Sequence, residues 1–195
     1  MESTTTEEGF TFAYADPPYI NQVQAHYSDD PNAPDGGAKE VNHRLLIGTM
    51  ERQYDAWALS MSATMHSLKQ IIPILPEDCR MGAWVKPFAS FKPNVDPAYT
   101  WEPVAFKSPR KSRGEDTSRD YVRENITMNR GTHGAKPQKF CFWLFDLVGL
   151  TEEDTFVDMF PGSDAVGEAY KRWLRARRSN GEQLNLTGSP STPHF

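Results

Sequence analysis

Strand-like apolar runs alternate with stretches of helical period along most of this 195-residue chain. That alternation points to an α/β fold of three layers, α/β/α, with about five main strands in a largely parallel sheet covered on both faces. Composition agrees. The chain is 38% hydrophobic and 24% charged, enough apolar material for one buried core and too short for two comfortable ones.

Residues 1–9, rich in Thr and Glu, are expected to form a flexible tail. Residues 10–15 alternate aromatic and small side chains as a buried strand does, and Pro17-Pro18 stops them. Residues 28–37 are built of turn formers and read as a loop. A helix is expected over 41–53 and a second strand over 57–60. Another helix follows over 63–74, where Met65, Leu68, Ile71 and Ile72 keep helical spacing until Pro76. Residues 80–85 and 101–106 are the third and fourth strands, the fourth read as an edge strand with Trp101 on its surface. Residues 107–135 keep no strong period and form a basic, Gly-containing connection. Residues 136–148 read as a helix with a wide apolar face, 155–159 as the fifth strand, and 165–178 as a final helix. The last carries Val166, Ala169, Tyr170, Trp173 and Leu174 on its buried stripe. The domain is thus expected to span 10–178, with 179–195 a second flexible tail.

Composition and charge exclude several classes. No apolar run approaches the roughly 20 residues of a bilayer span, and residues 1–4 lack the basic and apolar regions of a secretory signal, so a cytoplasmic chain is expected. Cys79 and Cys141 are too few for a disulfide framework and too far apart for a CxxC motif. The five histidines form no pair at metal-ligand spacing, and no metal is expected. The net charge of −5 argues against a wholly basic, nucleic-acid-coating protein, yet the sign is unevenly spread. Residues 1–40 hold eight acids and a single Lys39, whereas 107–139 hold nine bases against four acids. Lys107, Arg110, Lys111, Arg113, Arg119, Arg123 and Arg130 are accordingly candidates for a phosphate-contacting face, with a solvated loop as the alternative.

Two constellations carry chemistry. Asp16-Pro17-Pro18-Tyr19 directly follows the first strand, where α/β folds put their ligands. An exocyclic ring amine is a poor nucleophile because its lone pair is delocalised into the heterocycle. Acceptors that hold its N–H groups favour a pyramidal nitrogen, and a carboxylate or amide together with a proline carbonyl can supply them. The aromatic fourth residue can stack on a base taken out of its helix. Attack on a sulfonium methyl then needs alignment more than acid-base power. The second constellation is the strand, turn and helix start at 155–167, with Asp158, Phe160, Gly162, Ser163 and Asp164 in the turn region. Such a turn lets backbone approach a ligand closely while helix N–H groups face an anionic group.

With Lys136-Pro137 opening the preceding helix, these motifs resemble the S-adenosylmethionine-dependent amino-methyltransferases in their permuted, beta-class-like order. The resemblance spans roughly residues 10–178. It implies a trimmed Rossmann-like methyltransferase sheet with strands ordered fifth, first, second, fourth, third. It implies that Asp16, Pro17, Pro18 and Tyr19 hold the target amine and base, and that Ala15, Asp16, Lys136, Pro137, Asp158, Phe160, Gly162, Ser163 and Asp164 surround the cofactor, S-adenosylmethionine. An Asp-first tetrad is usual in the family for adenine N6, so methyl transfer to adenine in DNA is expected, with RNA admitted by the same motifs.

Two departures from the family pattern matter. Asp164 stands where the family loop has its second glycine, and is read either as a cap on the final helix or as a negative charge against the cofactor's carboxylate. No acidic strand follows residue 178 to hold the cofactor's ribose, which leaves that task to another group or to a partner chain. The 107–135 connection stands at the family's target-recognition insert. It is short, so DNA reading is expected to be brief or shared with a second subunit, as in a homodimer. Trp101-Glu102-Pro103-Val104 resembles a segment near the family's cleft, while Lys86-Pro87 fits the helix-start role less well than Lys136-Pro137. The alternative function is a non-catalytic methyltransferase-like protein that keeps a nucleic-acid face.

Overall fold

The computed structural model describes residues 9–18, 20, 41–88, 95–110, 117–127 and 135–186. The strand Thr11–Ala15 (β1) sets the frame: Phe12 through Ala15 are inaccessible, and β1 pairs in parallel on both sides, with Ala56–Ser60 (β2) and Thr155–Asp158 (β6). A strand flanked and covered in this way must be apolar at every position, and β2, Ala-Trp-Ala-Leu-Ser, is likewise buried throughout. Beyond β2 lies Trp101–Lys107 (β4), antiparallel to β2 and to Arg80–Val85 (β3). Tyr121–Arg123 (β5) then pairs in parallel with β3. The sheet order is β5-β3-β4-β2-β1-β6, and only β4 runs against the other five.

Read from β6 inward, this is the expected order with one strand added at the far edge. β5 is three residues long and lies inside the basic connection, too short to leave a period in the sequence. The fourth strand lies between β2 and β3, as that order has it, and is not the edge strand that its surface Trp101 suggested. Its Pro103 is tolerated because it faces the end of β2: its carbonyl takes the Met61 N–H (3.1 Å) one residue past that strand, so the missing proline donor falls where the ladder stops.

Helices close both faces. His43–Gln53 (α1) starts two residues later than expected because the Asn42 side chain caps it, accepting from the Leu45 N–H at 3.1 Å. Met65–Ile71 (α2), capped by Thr64, tightens into a 3₁₀ turn over Ile72–Ile74 at Pro73. The α1 and α2 residues Leu46, Ile47, Met50 and Ile71 pack against Ala13, Ala15, Trp57 and Leu59 on one face. Gln138–Val148 (α3) and Ala165–Leu186 (α4) cover the other, where Phe140, Phe145, Phe156, Tyr170 and Trp173 form tilted and edge-on ring contacts. Pro137 lies just outside α3, its carbonyl taking the first helical bond from Cys141 (3.1 Å), and Gly149 ends the helix at φ 74°. The backbone of α4 runs eight residues past the expected end at 178. The tails at 1–8 and 187–195 lie outside the described residues.

Candidate active site

Parallel strands end at the same edge of a sheet, and here that edge gathers charge. Tyr14 of β1 is in register with Asp158 of β6, and the Met159 N–H donates to the Tyr14 carbonyl at 2.9 Å, so the pairing continues to the strand ends. Asp16 follows β1 on the same face as Tyr14, by the two-residue period. Its Oδ2 meets Nζ of Lys136, just before α3, at 3.1 Å. Lys136 Nζ also reaches Glu102 Oε2 of β4 at 3.2 Å, and the other oxygen of Glu102 pairs with Lys86, directly after β3. The rings of Trp84 and Phe140 lie 5.3 and 5.6 Å from Lys136 Nζ, and only 7% of the Lys136 side chain is exposed. Two carboxylates and two ammonium groups thus alternate along one sheet edge.

Satisfaction is incomplete at two points. Asp16 Oδ1 and Asp158 Oδ2 are buried and have no hydrogen-bond partner among the described residues, while Asp158 Oδ1 accepts the Phe160 N–H at 3.1 Å. An unmet buried acceptor costs about 1–3 kcal/mol, and these two stand on adjacent strand ends, where each can take a donor from a ligand. Burial pushes the Asp16 carboxyl above the usual aspartate range; Lys136 offsets this in part and the Glu102 charge adds to it. Burial disfavours the Lys136 ammonium, but the surrounding Asp16, Tyr14 and Glu102 outweigh it and hold the amine charged. Asp158 is raised by burial, with the Phe160 N–H pulling it back and Asp16 adding repulsion.

The turn after β6 is tight: the Asp164 N–H donates to the Pro161 carbonyl at 2.6 Å. Gly162 has φ 46°, and a Cβ placed there would meet only the Phe160 carbonyl oxygen, at 3.8 Å, so the space beside it is open. Asp164 adopts φ 56°, the left-handed conformation glycine favours. Its backbone carbonyl takes the Glu168 N–H (2.9 Å), as at an N-cap position, while the carboxylate lies over Gly167 and 3.7 Å from Lys171 Nζ. Asp164 thus stands at the cap position the sequence suggested, without the extended backbone of the usual side-chain cap.

The structure brings Ala15, Asp16, Pro17, Lys136 and Asp158 to one edge, with Phe160, Gly162 and Ser163 in the adjoining turn. Tyr19 lies outside the described residues, as do Lys111, Arg113 and Arg130. Two basic candidates are committed elsewhere. Lys107 is shared between Glu51 (2.9 Å) and Asp78 (3.0 Å), and Arg110 grips Asp154 with both terminal nitrogens while stacking over Phe10. Their charges are matched within the fold, which removes them from a phosphate-contacting face. Arg119 and Arg123 are exposed at the β5 edge. Sequence reasoning set Trp101-Glu102-Pro103-Val104 near the cleft without giving Glu102 a role, and placed Lys86 behind Lys136. The signal was there: Lys86 is two residues beyond buried Trp84, and Glu102 is paired with Trp84, so both side chains follow it onto the face that holds Asp16.

A hollow of about 460 Å³ opens on the opposite face beside Ile20, lined by residues at the start of α1 and by Gln70 and Ile74. Among the described residues no helix is long and apolar enough to cross a membrane, and no group of three His, Cys, Asp or Glu could hold a metal ion.

No protein-family model and no curated protein matches the sequence. Among solved structures, the chain is similar to one described as the crystal structure of the M1.HpyAVI–SAM complex, with a TM-score of 0.54 and 16% identity over 84% of this chain and 78% of that one. The likeness is one of fold: an α/β domain with a mixed six-stranded sheet, whose strand ends carry the Asp16–Lys136 cluster.

Proposed function

We propose that the chain is an S-adenosylmethionine-dependent methyltransferase that modifies the exocyclic N6 amine of adenine in DNA. The observation that carries this reading is the pair of unmet buried carboxylate oxygens, Asp16 Oδ1 and Asp158 Oδ2, at the adjacent ends of β1 and β6. The open space at Gly162 fits a cofactor lying against the turn, and the similar structure named above is a SAM complex. When bound, that cofactor supplies an electrophilic methyl group on a sulfonium.

The chain's own residues do the rest. Asp16 Oδ1 accepts one amine N–H and the Pro17 carbonyl another, which turns the nitrogen lone pair toward the methyl carbon. Lys136 occupies Asp16 Oδ2 and keeps the carboxylate from swinging away. Raised by burial, Asp16 is also a better acceptor for the proton the amine sheds once it is methylated. Asp158 Oδ2, Phe160, Gly162 and Ser163 hold the cofactor, with Ala15 forming the floor between the strands. Lys136, already divided between Asp16 and Glu102, serves the amine side of the cleft more than the cofactor side. Tyr19 stacks on the extruded base.

Calorimetry with S-adenosylmethionine, followed by mass spectrometry of DNA and RNA oligonucleotides incubated with the protein, tests the reading. Micromolar cofactor binding and N6-methyladenine in DNA are expected. Methylation confined to RNA would change the substrate, and absence of binding at millimolar cofactor would favour the non-catalytic, nucleic-acid-binding alternative.

A further inference from the structure

The two faces of the sheet are not covered to the same width. On the face that α3 and α4 cover, burial reaches β5, where Val122 is 6% exposed. On the other, α1 and α2 pack against β1 and β2, while the β3–β5 side stays open: Met81 is 40%, Trp101 41% and Tyr121 44% exposed. Strand alternation explains the set. Val122 points into the core, so its neighbours Tyr121 and Arg123 must point out of the opposite face. Register then aligns Arg123, Val85 and Trp101 in one row across three strands, with Tyr121 in the next row. Arg119 joins the same face, its guanidinium 6.0 Å from the Tyr121 ring and its Nη1 3.2 Å from the Tyr121 hydroxyl.

We propose that this open face binds single-stranded DNA, with Tyr121 and Trp101 stacking on two bases and Arg119 and Arg123 contacting the phosphates between and beyond them. Charge complementarity selects the occupant. The two arginines flank an exposed ring on a strand that lies within the most basic stretch of the chain, and none of the strand residues that alternation puts on this face is acidic. Across the β5, β3 and β4 strands, spaced by about 4.8 Å, and with a two-residue offset, the two rings stand about 12 Å apart, which suits separate bases better than one. The row holding Arg123 and Trp101 is one residue from Lys86 and Glu102, which turn to the candidate active-site face at the same sheet edge. A strand held on the platform therefore reaches Asp16 by passing over that edge. This deepens the proposed function, on which it rests for the identity of the target, but the surface itself makes a separate claim.

Fluorescence anisotropy with a labelled oligo-thymidine, which contains no adenine, tests that claim without methyl transfer. Tyr121→Ala and Trp101→Ala are each expected to weaken binding roughly 5- to 150-fold, and Tyr121→Phe to bind as the wild type does. Arg119→Glu with Arg123→Glu should flatten the dependence of affinity on salt. All four side chains are exposed, so melting temperatures should stay at the wild-type value and exclude misfolding. Asp16→Asn should bind the oligonucleotide normally, so a failed methyltransferase reading and a failed platform give different results. Unchanged affinity in both alanine variants would overturn the proposal. So would sedimentation showing that the wild type self-associates through this face and that Tyr121→Ala abolishes the association, since a second copy would then be its occupant.

Discussion

Asp154 and Asp16 stand at opposite ends of the β1–β6 pair, both drawn into the protein, and their surroundings differ in every respect. Asp154 receives the Phe10 N–H (2.7 Å), the Thr151 N–H (2.6 Å) and both terminal nitrogens of Arg110. Burial alone would raise its carboxyl, but Arg110 and the two N–H groups reverse this and hold it below the ordinary range. Four donors from three chain segments make it a joint between the start of β1, the turn before β6 and the connection after β4. Asp16 has a single lysine, one oxygen without a donor, and a carboxyl raised above the ordinary range. At one end of the strand pair both carboxylate oxygens are met; at the other an acceptor waits. Burial of a carboxylate therefore says little until its donors have been counted.

The largest way to break the contrast is at the Asp154 joint. Arg110→Ala leaves Asp154 buried without its charge partner and is expected to cost about 3–5 kcal/mol of unfolding free energy in urea titrations. A loss below about 1 kcal/mol would mean that this pair is not what joins these segments. Glycines at the two ends sharpen the comparison. At the Asp154 end, a Cβ on Gly9 would fall 2.0 Å from the Glu153 carbonyl oxygen, so Gly9→Ala should destabilise by about 1–3 kcal/mol as backbone shifts. At the open end the constraint is conformational, and Asp164→Gly should stabilise by about 1 kcal/mol by relieving φ 56°. Gly9→Ala at wild-type stability, or Asp164→Gly below it in the same urea titrations, would contradict the assignment of crowding to one end and strain to the other.

The pH dependence carries opposite signs. Asp154, depressed, contributes stability above the ordinary aspartate value that is lost as pH falls through its lower folded value. Asp16, raised, contributes below the ordinary value and loses that contribution as pH rises through its higher folded value. Asp16→Asn should therefore gain stability relative to the wild type as pH rises from about 4 toward neutrality. Urea melts of both proteins across that range would reveal the divergence, and parallel curves would remove it.

Much of this was legible in the chain. The apolar runs of β1 and β2 identify themselves, because strands buried on both faces admit no polar alternation. The motif at Asp16 and the turn at Gly162, about 140 positions apart, could be joined through their order and chemistry. What stayed hidden depends on long-range partners. Arg110 looks like any basic loop residue until Asp154, 44 positions away, is brought to it. Glu102 acquires its role only between Lys86 and Lys136, from two other elements. β5 is a strand because β3 offers it an edge, not because Tyr-Val-Arg specifies one.

The claim at the centre is that the unmet oxygen of Asp16 exists for the substrate amine and not for the fold. Replacement of Asp16 by Ala, assayed side by side for cofactor affinity by calorimetry and for methyl transfer to adenine-containing DNA, addresses it most directly. Cofactor affinity within about threefold of the wild type and a fall in transfer of at least about 10²-fold are expected, the scale seen when one aligned polar group is lost from an active site. Transfer at the wild-type rate in Asp16→Ala would contradict the account.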